Sequence, residues 1–170
     1  MSTKCRVLIL YAPDKKMIND LTAAIAEGAR SVANVEVKIQ KPKQTTKADL
    51  VAADALIIGS PNWTGIKGSL KLWLDNTGDL WEEHILAGKI GAAFTASDGR
   101  HSGTEFTLLN VLHWMLGNGM VIVGLPWTPV MARAGSYYGA TACGEVNAED
   151  LEQARALGRR VAEMALRLAA

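Results

Sequence analysis

The sequence predicts an α/β protein, a parallel β-sheet covered by helices on both faces, and three observations carry that expectation. Short apolar runs rich in Val, Ile and Leu alternate with longer stretches of helical period, the pattern of strands buried on both sides. A chain of 170 residues has the length of one ordinary domain and can bury a core without a disulfide or metal staple. No repeat, low-complexity tract or proline-rich linker breaks the order, so a single domain over 1–170 is expected.

Five runs read as strands: "RVLILY" at 6–11, "VEVKIQ" at 35–40, "ALIIGS" at 55–60, "KIGAAFTAS" at 89–97 and "MVIVGL" at 120–125. The second alternates polar and apolar residues, as an edge strand does. Helical patterns fill 17–33, 47–53, 68–79, 104–116 and 148–168. The last is the clearest. Leu151, Ala154, Leu157, Val161, Met164 and Leu168 recur every three or four residues and make one apolar face, and Asn147 with Asp150 resembles a capping box at its start. The stretch 126–146 fits neither pattern and is expected to be a long irregular excursion, a length that usually has a functional reason.

Eighteen basic and seventeen acidic residues leave a net charge of +1 with no basic block. Neither nucleic acid nor an anionic membrane is therefore an expected partner; a small molecule is. Cys5 and Cys143 are far apart and neither belongs to a CxxC pair, so both are expected as free thiols in a reducing compartment. The opening "MSTKCRVLILYAPDKK" has an apolar run too short for a membrane span and no small-residue cleavage site. A cytoplasmic location is expected.

Open parallel sheets bind ligands beyond the carboxyl ends of their strands, where strand order reverses. Three loops are nominated by that rule: 12–16, 60–67 and 95–103. The second lies in "GSPNWTGIKGSLKLWLDNTGDLW", 59–81. There Pro61 and Gly65 are expected to set a turn, Asn62 and Thr64 offer polar groups, and Trp63 is expected outside the core because Leu70, Leu72, Trp73 and Leu74 already supply packing. The third, "TASDGRHSGTE", gathers Ser97, Asp98, Gly99, Arg100, His101, Ser102 and Gly103, whose glycines let backbone N–H groups approach a flat ring.

These residues resemble a known family, the flavodoxin-like FMN proteins, and within them the WrbA-type NAD(P)H:quinone oxidoreductases. The similarity runs over nearly the whole chain: "RVLILY" with "AAIAEGA" at 23–29, the stretch 59–81, "GKIGAAF" at 88–94, "GNGMVIVGLP" at 117–126 and "SYYGAT" at 136–141. The resemblance implies a flavodoxin-like three-layer sandwich with a five-stranded parallel sheet in the order 2-1-3-4-5. It also implies FMN held by three loops, the phosphate in the first and the isoalloxazine between the second and third. By position, Pro13, Asp14, Lys15, Lys16 and Met17 would serve the phosphate. Pro61, Asn62, Trp63, Thr64 and Gly65, with Ser97, Asp98, Gly99 and Gly103, would flank the ring. No catalytic side chain and no metal site is implied.

The first loop departs from the family pattern. The ungapped match places Pro13 at the family's serine and Lys16 at its glycine, which removes a hydroxyl and, because proline has no N–H, a backbone donor. The helix N-terminus that follows and the ammonium groups of Lys15 and Lys16 are expected to compensate, with Asp14 as the helix cap. Near Gly119 the family often has a histidine where this chain has Asn118; of His84, His101 and His113 only His101 falls in a ligand loop.

The expected function is NAD(P)H-dependent reduction of a quinone or other small electron acceptor, the chemistry being the flavin's, with Tyr137 and Tyr138 approaching the substrate side. Two other readings stay open: a one-electron carrier between protein partners, and a binding or regulatory module that has lost FMN. Relatives of this type assemble, so a homo-oligomer is expected, with Trp81, Trp127, Tyr137 and Tyr138 as contacts.

Overall fold

The computed structural model describes residues 4–169. Residues 1–3, the beginning of the stretch read above as lacking a leader, lie outside them. Strands β1 (Cys5–Tyr11), β2 (Val35–Gln40), β3 (Ala55–Pro61), β4 (Ile90–Ser97), β5 (Val121–Ile122) and β6 (Gly139–Cys143) form one parallel sheet in the order β2-β1-β3-β4-β5, with β6 also paired to β4. The expected order is borne out, and β2 is the edge strand its alternation announced.

The fifth position is where expectation and structure part. Instead of one strand over 120–125, β5 pairs with Ile90 and Gly91 of β4, and β6 takes over from Ala93 to Ser97. The sheet thus has six strands, and the segment 126–146 is not wholly irregular. Val123 still donates to Gly91, but Pro126 has no N–H to continue a ladder. The chain leaves through a 3₁₀ turn at Pro129–Ala132 and returns as β6.

Among the described residues six helices cover the faces. Helices α1 (Lys16–Arg30) and α6 (Ala148–Ala169) pack on one side around Ile9, Ile25, Phe94 and Leu157. Helices α2 (Lys47–Ala52), α3 (Gly68–Asp75), α4 (Gly78–Glu82) and α5 (Thr104–Gly117) pack on the other around Leu8, Leu50, Leu70, Leu80 and Leu108. The single helix expected over 68–79 is two. Thr77 turns its hydroxyl onto the carbonyl of Leu74 at 2.6 Å and Gly78 follows, so the backbone is offered an alternative to continuing the helix. Helix α1 stops at Arg30, short of residue 33, where Ser31 bonds back to Gly28 and Asn34 takes a positive φ of 62°.

On the first face two helices touch backbone to backbone. A Cβ on Gly158 of α6 would stand 2.0 Å from the carbonyl oxygen of Ile25, and one on Gly28 of α1 would stand 2.0 Å from that of Arg155. Glycine at both positions lets α1 and α6 cross closely, which fixes α1 and hence the first ligand loop at its start. The start of α6 is the capping box expected from the sequence: Asn147 Oδ1 accepts from the N–H groups of Glu149 and Asp150, and Asp150 accepts from Asn147 N. Among the described residues no helix is long and apolar enough to cross a membrane. Cys5 and Cys143 are both free.

Candidate functional site

The three nominated loops lie at the carboxyl ends of β1, β3 and β4. The β1 and β3 ends are joined by Ala12 N donating to Gly59 O, and the β3 and β4 ends by Asn62 N donating to Ala96 O. Strand order reverses here, since β2 leaves β1 on one side while β3 and β4 follow on the other.

In the first loop, Lys15 is the N-cap of α1 and its side chain makes no capping bond, nor does any acidic residue occupy the first turn. The leading N–H groups of a 15-residue helix are therefore left to another acceptor, at the positive end of its dipole. Asp14 does not cap the helix as expected. Its carboxylate turns to the second loop, accepting the indole N–H of Trp63 at 2.7 Å and pairing with Lys67 at 3.1 Å. The Lys67 ammonium, and after it the Trp63 N–H, hold the Asp14 carboxyl below the usual carboxylate range.

Lys15 reaches the third loop, pairing with Asp98, and its ammonium lies 5.1 Å from the centre of the Trp63 ring. That is within the range of a cation–π contact. Lys16 instead pairs with Asp20 at 2.6 Å, one turn along α1, with its side chain almost fully exposed. Met17 is half-buried and packs its side chain against the core of this face.

The second loop is a tight turn made by Thr64 and Gly65, both with positive φ, at 51° and 118°. Pro61, expected in the turn, is instead the buried last residue of β3, paired with Ala96. Asn62 fixes the turn from within. Its amide donates to Ser102 O at 2.8 Å, and its carbonyl accepts from Thr107 at 2.9 Å and from Gly65 N. Below, the buried Ser60 hydroxyl accepts from Lys67 N at 2.8 Å while Thr95 donates to Ser60 O at 2.7 Å. Trp63 stands outside the core, 54 % exposed, as the sequence led one to expect. Asn62 and Thr64 have polar groups at this end, yet the Thr64 hydroxyl donates to Trp63 O.

In the third loop Ser97 is buried and gives its hydroxyl to Gly99 O at 2.8 Å. Gly99 and Asp98 are exposed. Gly103 precedes α5 with a φ of 88°, a conformation that glycine takes without strain. His101 is exposed in this loop. His84 lies between α4 and β4, at the amino end of the sheet, and His113 lies on the outer side of α5. Asn118 closes α5 at that same amino end, with its amide on Trp114 O. Tyr138 sits next to Gly139, which is level with Ala93 in the middle of β4, and shares a cavity with Leu109 and Leu116 of α5. Tyr138 therefore faces α5 rather than the three loops, while Tyr137 is exposed.

Sequence reading missed Thr107 and gave no role to Lys67, Ser60 or Ser102, although all three fall in the nominated loops. Only partners distant in the chain give them a role, so no local spacing announces them. The arrangement as a whole offers an uncapped helix N-terminus beside an exposed indole, with polar and glycine-containing loops on either side.

The fold and this site define a flavodoxin-like protein. A solved structure described as a WrbA-like flavodoxin from Agrobacterium tumefaciens superposes with a TM-score of 0.78 at 23 % identity, over 96 % of this chain and 99 % of that one. The family model for NADPH-dependent FMN reductases matches residues 14–131, and the chain belongs to that family. Two curated relatives are named NAD(P)H dehydrogenase (quinone). The one from Archaeoglobus fulgidus is 36 % identical over 96 % of this chain and 98 % of its own length; the one from Geotalea uraniireducens is 36 % identical over 96 % and 99 %.

Proposed function

We propose that this protein is an FMN-dependent reductase that passes electrons from NAD(P)H to a quinone or similar small acceptor. The observation that carries the reading is the uncapped N-terminus of α1 beside the exposed face of Trp63, at the carboxyl ends of β1 and β3. The residues fit the cofactor. The free N–H groups of Lys16 and Met17 suit a phosphate dianion. The one carboxylate of the first loop, Asp14, is already neutralised by Lys67, and the Trp63 ring offers a platform for a flat heterocycle.

Backbone groups at Pro61, Ser97, Gly99 and Gly103, with Asn62, Thr64, Gly65 and Asp98, would frame the ring. Lys15 and Asp98 would part to admit it. The chemistry that FMN supplies when bound is hydride transfer from NAD(P)H and reduction of the acceptor. The protein's part is to orient the ring, to close the first loop over the phosphate and to keep one ring face open for donor and acceptor. No side-chain acid or base is required.

The test is direct. Protein soaked in FMN and desalted should stay yellow, lose the colour on anaerobic addition of NADPH or NADH, and regain it when a quinone is added. Retained flavin that neither coenzyme bleaches would support an electron carrier. Protein that keeps no flavin would support a binding module, the reading favoured by the bridges that Lys15 and Asp14 make across the loops.

As part of the same reading, the chain is one cytoplasmic domain that self-associates. Helix α5 exposes Phe106, Leu109 and Leu116, with Val121 and Tyr138 nearby. A helix apolar on several faces is expected to be covered. Sedimentation at high concentration that shows only monomer would remove this part.

A further inference from the structure

A cavity of about 360 Å³ opens beside the first loop, between the carboxyl end of β1, the 3₁₀ turn at Pro42–Gln44 and α3. Its walls are apolar: Ala12, Pro13, Pro42 and the half-buried Trp73. Three lysines also line it, Lys41, Lys43 and Lys67, and no carboxylate does. Lys41 and Lys43 are exposed and make no ion pair among the described residues. Lys67 pairs with Asp14, the same carboxylate that holds the Trp63 indole. The cavity is thus one side chain removed from the platform proposed for the flavin.

The chemistry that matches apolar walls, an indole and a cluster of cations is a flat ring carrying phosphate groups. We propose that this cavity takes the adenosine 2′,5′-bisphosphate end of NADPH, with the adenine against Trp73 and Pro42 and the phosphates on Lys41 and Lys43. The assignment rests on the reductase reading above and adds to it where the adenosine end sits and which side chains read its 2′-phosphate. An extended dinucleotide spans two separate sites, so a phosphate site beside Lys67 lets the nicotinamide end reach the Trp63 platform. The extra 2′-phosphate is what two unpaired lysines discriminate, because each offers a charge that NADH leaves unanswered.

The test uses the full chain and adenosine 2′,5′-bisphosphate, titrated by calorimetry with and without saturating FMN, beside 5′-AMP. The bisphosphate is expected to bind roughly tenfold or more tightly than 5′-AMP, about 1.4 kcal/mol or more, and to do so with FMN present. The double variant Lys41→Ala with Lys43→Ala is expected to abolish that preference while FMN affinity stays the same. In turnover it should raise the KM for NADPH and leave that for NADH unchanged. Equal binding of the two nucleotides, or a preference that survives the double variant, would overturn the proposal. So would displacement of the bisphosphate by FMN, which would make the cavity part of the flavin site. Failure of the reductase reading shows separately, as protein that retains no FMN, and the bisphosphate titration still decides the cavity.

Discussion

The Asp14 carboxylate accepts the indole N–H of Trp63 at 2.7 Å, so the first ligand loop is tied to the second through a single hydrogen bond. Lys67 pairs with the other oxygen of the same carboxylate. The orientation of the Trp63 ring is therefore set by a group in the first loop, next to Pro13.

That bond has a predicted pH dependence. The folded state lowers the Asp14 carboxyl, first through Lys67 and then through Trp63. A carboxylate lowered on folding contributes its stability fully above its unfolded value, near pH ~4, and loses it as pH falls through the folded value. The Trp63 indole N–H resonance should be constant above pH ~4 and shift only at more acid pH, and in Asp14→Asn that titration should vanish. An indole signal with no titration in acid would mean the bond does not form in solution.

Much of this fold is legible in the sequence because its signals are local. Continuous apolar runs located β1, β3 and β4, and polar–apolar alternation located β2, each to within a residue or so at its ends; the three-residue spacing of Asn147 and Asp150 located the α6 cap. What stayed hidden depends on partners far along the chain. Strand β6, "GATAC", is built from small residues with little intrinsic preference for a strand. It is a strand because the free edge of β4 from Ala93 to Ser97 needs partners, and at its first residue only glycine fits: a Cβ on Gly139 would lie 1.9 Å from Ala93 O. The candidate loops were found from their place after strands, whereas the bridges of Asp14 and Lys15 across them were not, since no sequence rule pairs residue 14 with 63 or 15 with 98.

Replacing Gly158 with alanine should destabilise the protein by about 1–3 kcal/mol, the usual range for overpacking a tight contact. The new methyl would meet the Ile25 carbonyl, which is backbone and can move only by separating α6 from α1. Gly78→Ala is the control, since nothing lies within 4 Å of its Cβ position. Urea denaturation should show a clear loss for the first and no loss for the second; equal midpoints would show that the helices part at little cost.

Asn147→Ala removes the acceptor for two N–H groups at the start of α6. The expected loss is about 0.5–2 kcal/mol, read from the same denaturation curves. Asn147→Asp should recover most of it, because an aspartate accepts the same bonds and its charge suits the helix terminus. If the alanine variant is as stable as the parent, α6 is held by its packed face alone.

The two lysines of the first loop should behave differently toward FMN. Lys16 is committed to Asp20 along the exposed side of α1, whereas Lys15 is the N-cap residue and reaches over the Trp63 ring to Asp98. Only Lys15 stands where a phosphate at the helix terminus and a flavin on Trp63 would both be within its reach. Lys15→Ala should therefore weaken FMN by roughly tenfold or more, in line with the ~1.5–3 kcal/mol of a hydrogen bond to a charged group, and leave riboflavin, which has no phosphate, nearly unaffected. Lys16→Ala should change neither. The lysine's share should also fade with added salt, because a partly exposed charge is screened, so the gap between parent and Lys15→Ala should narrow as ionic strength rises. Equal FMN affinities for parent and Lys15→Ala at low salt would leave the backbone N–H groups of α1 as the whole of the phosphate site.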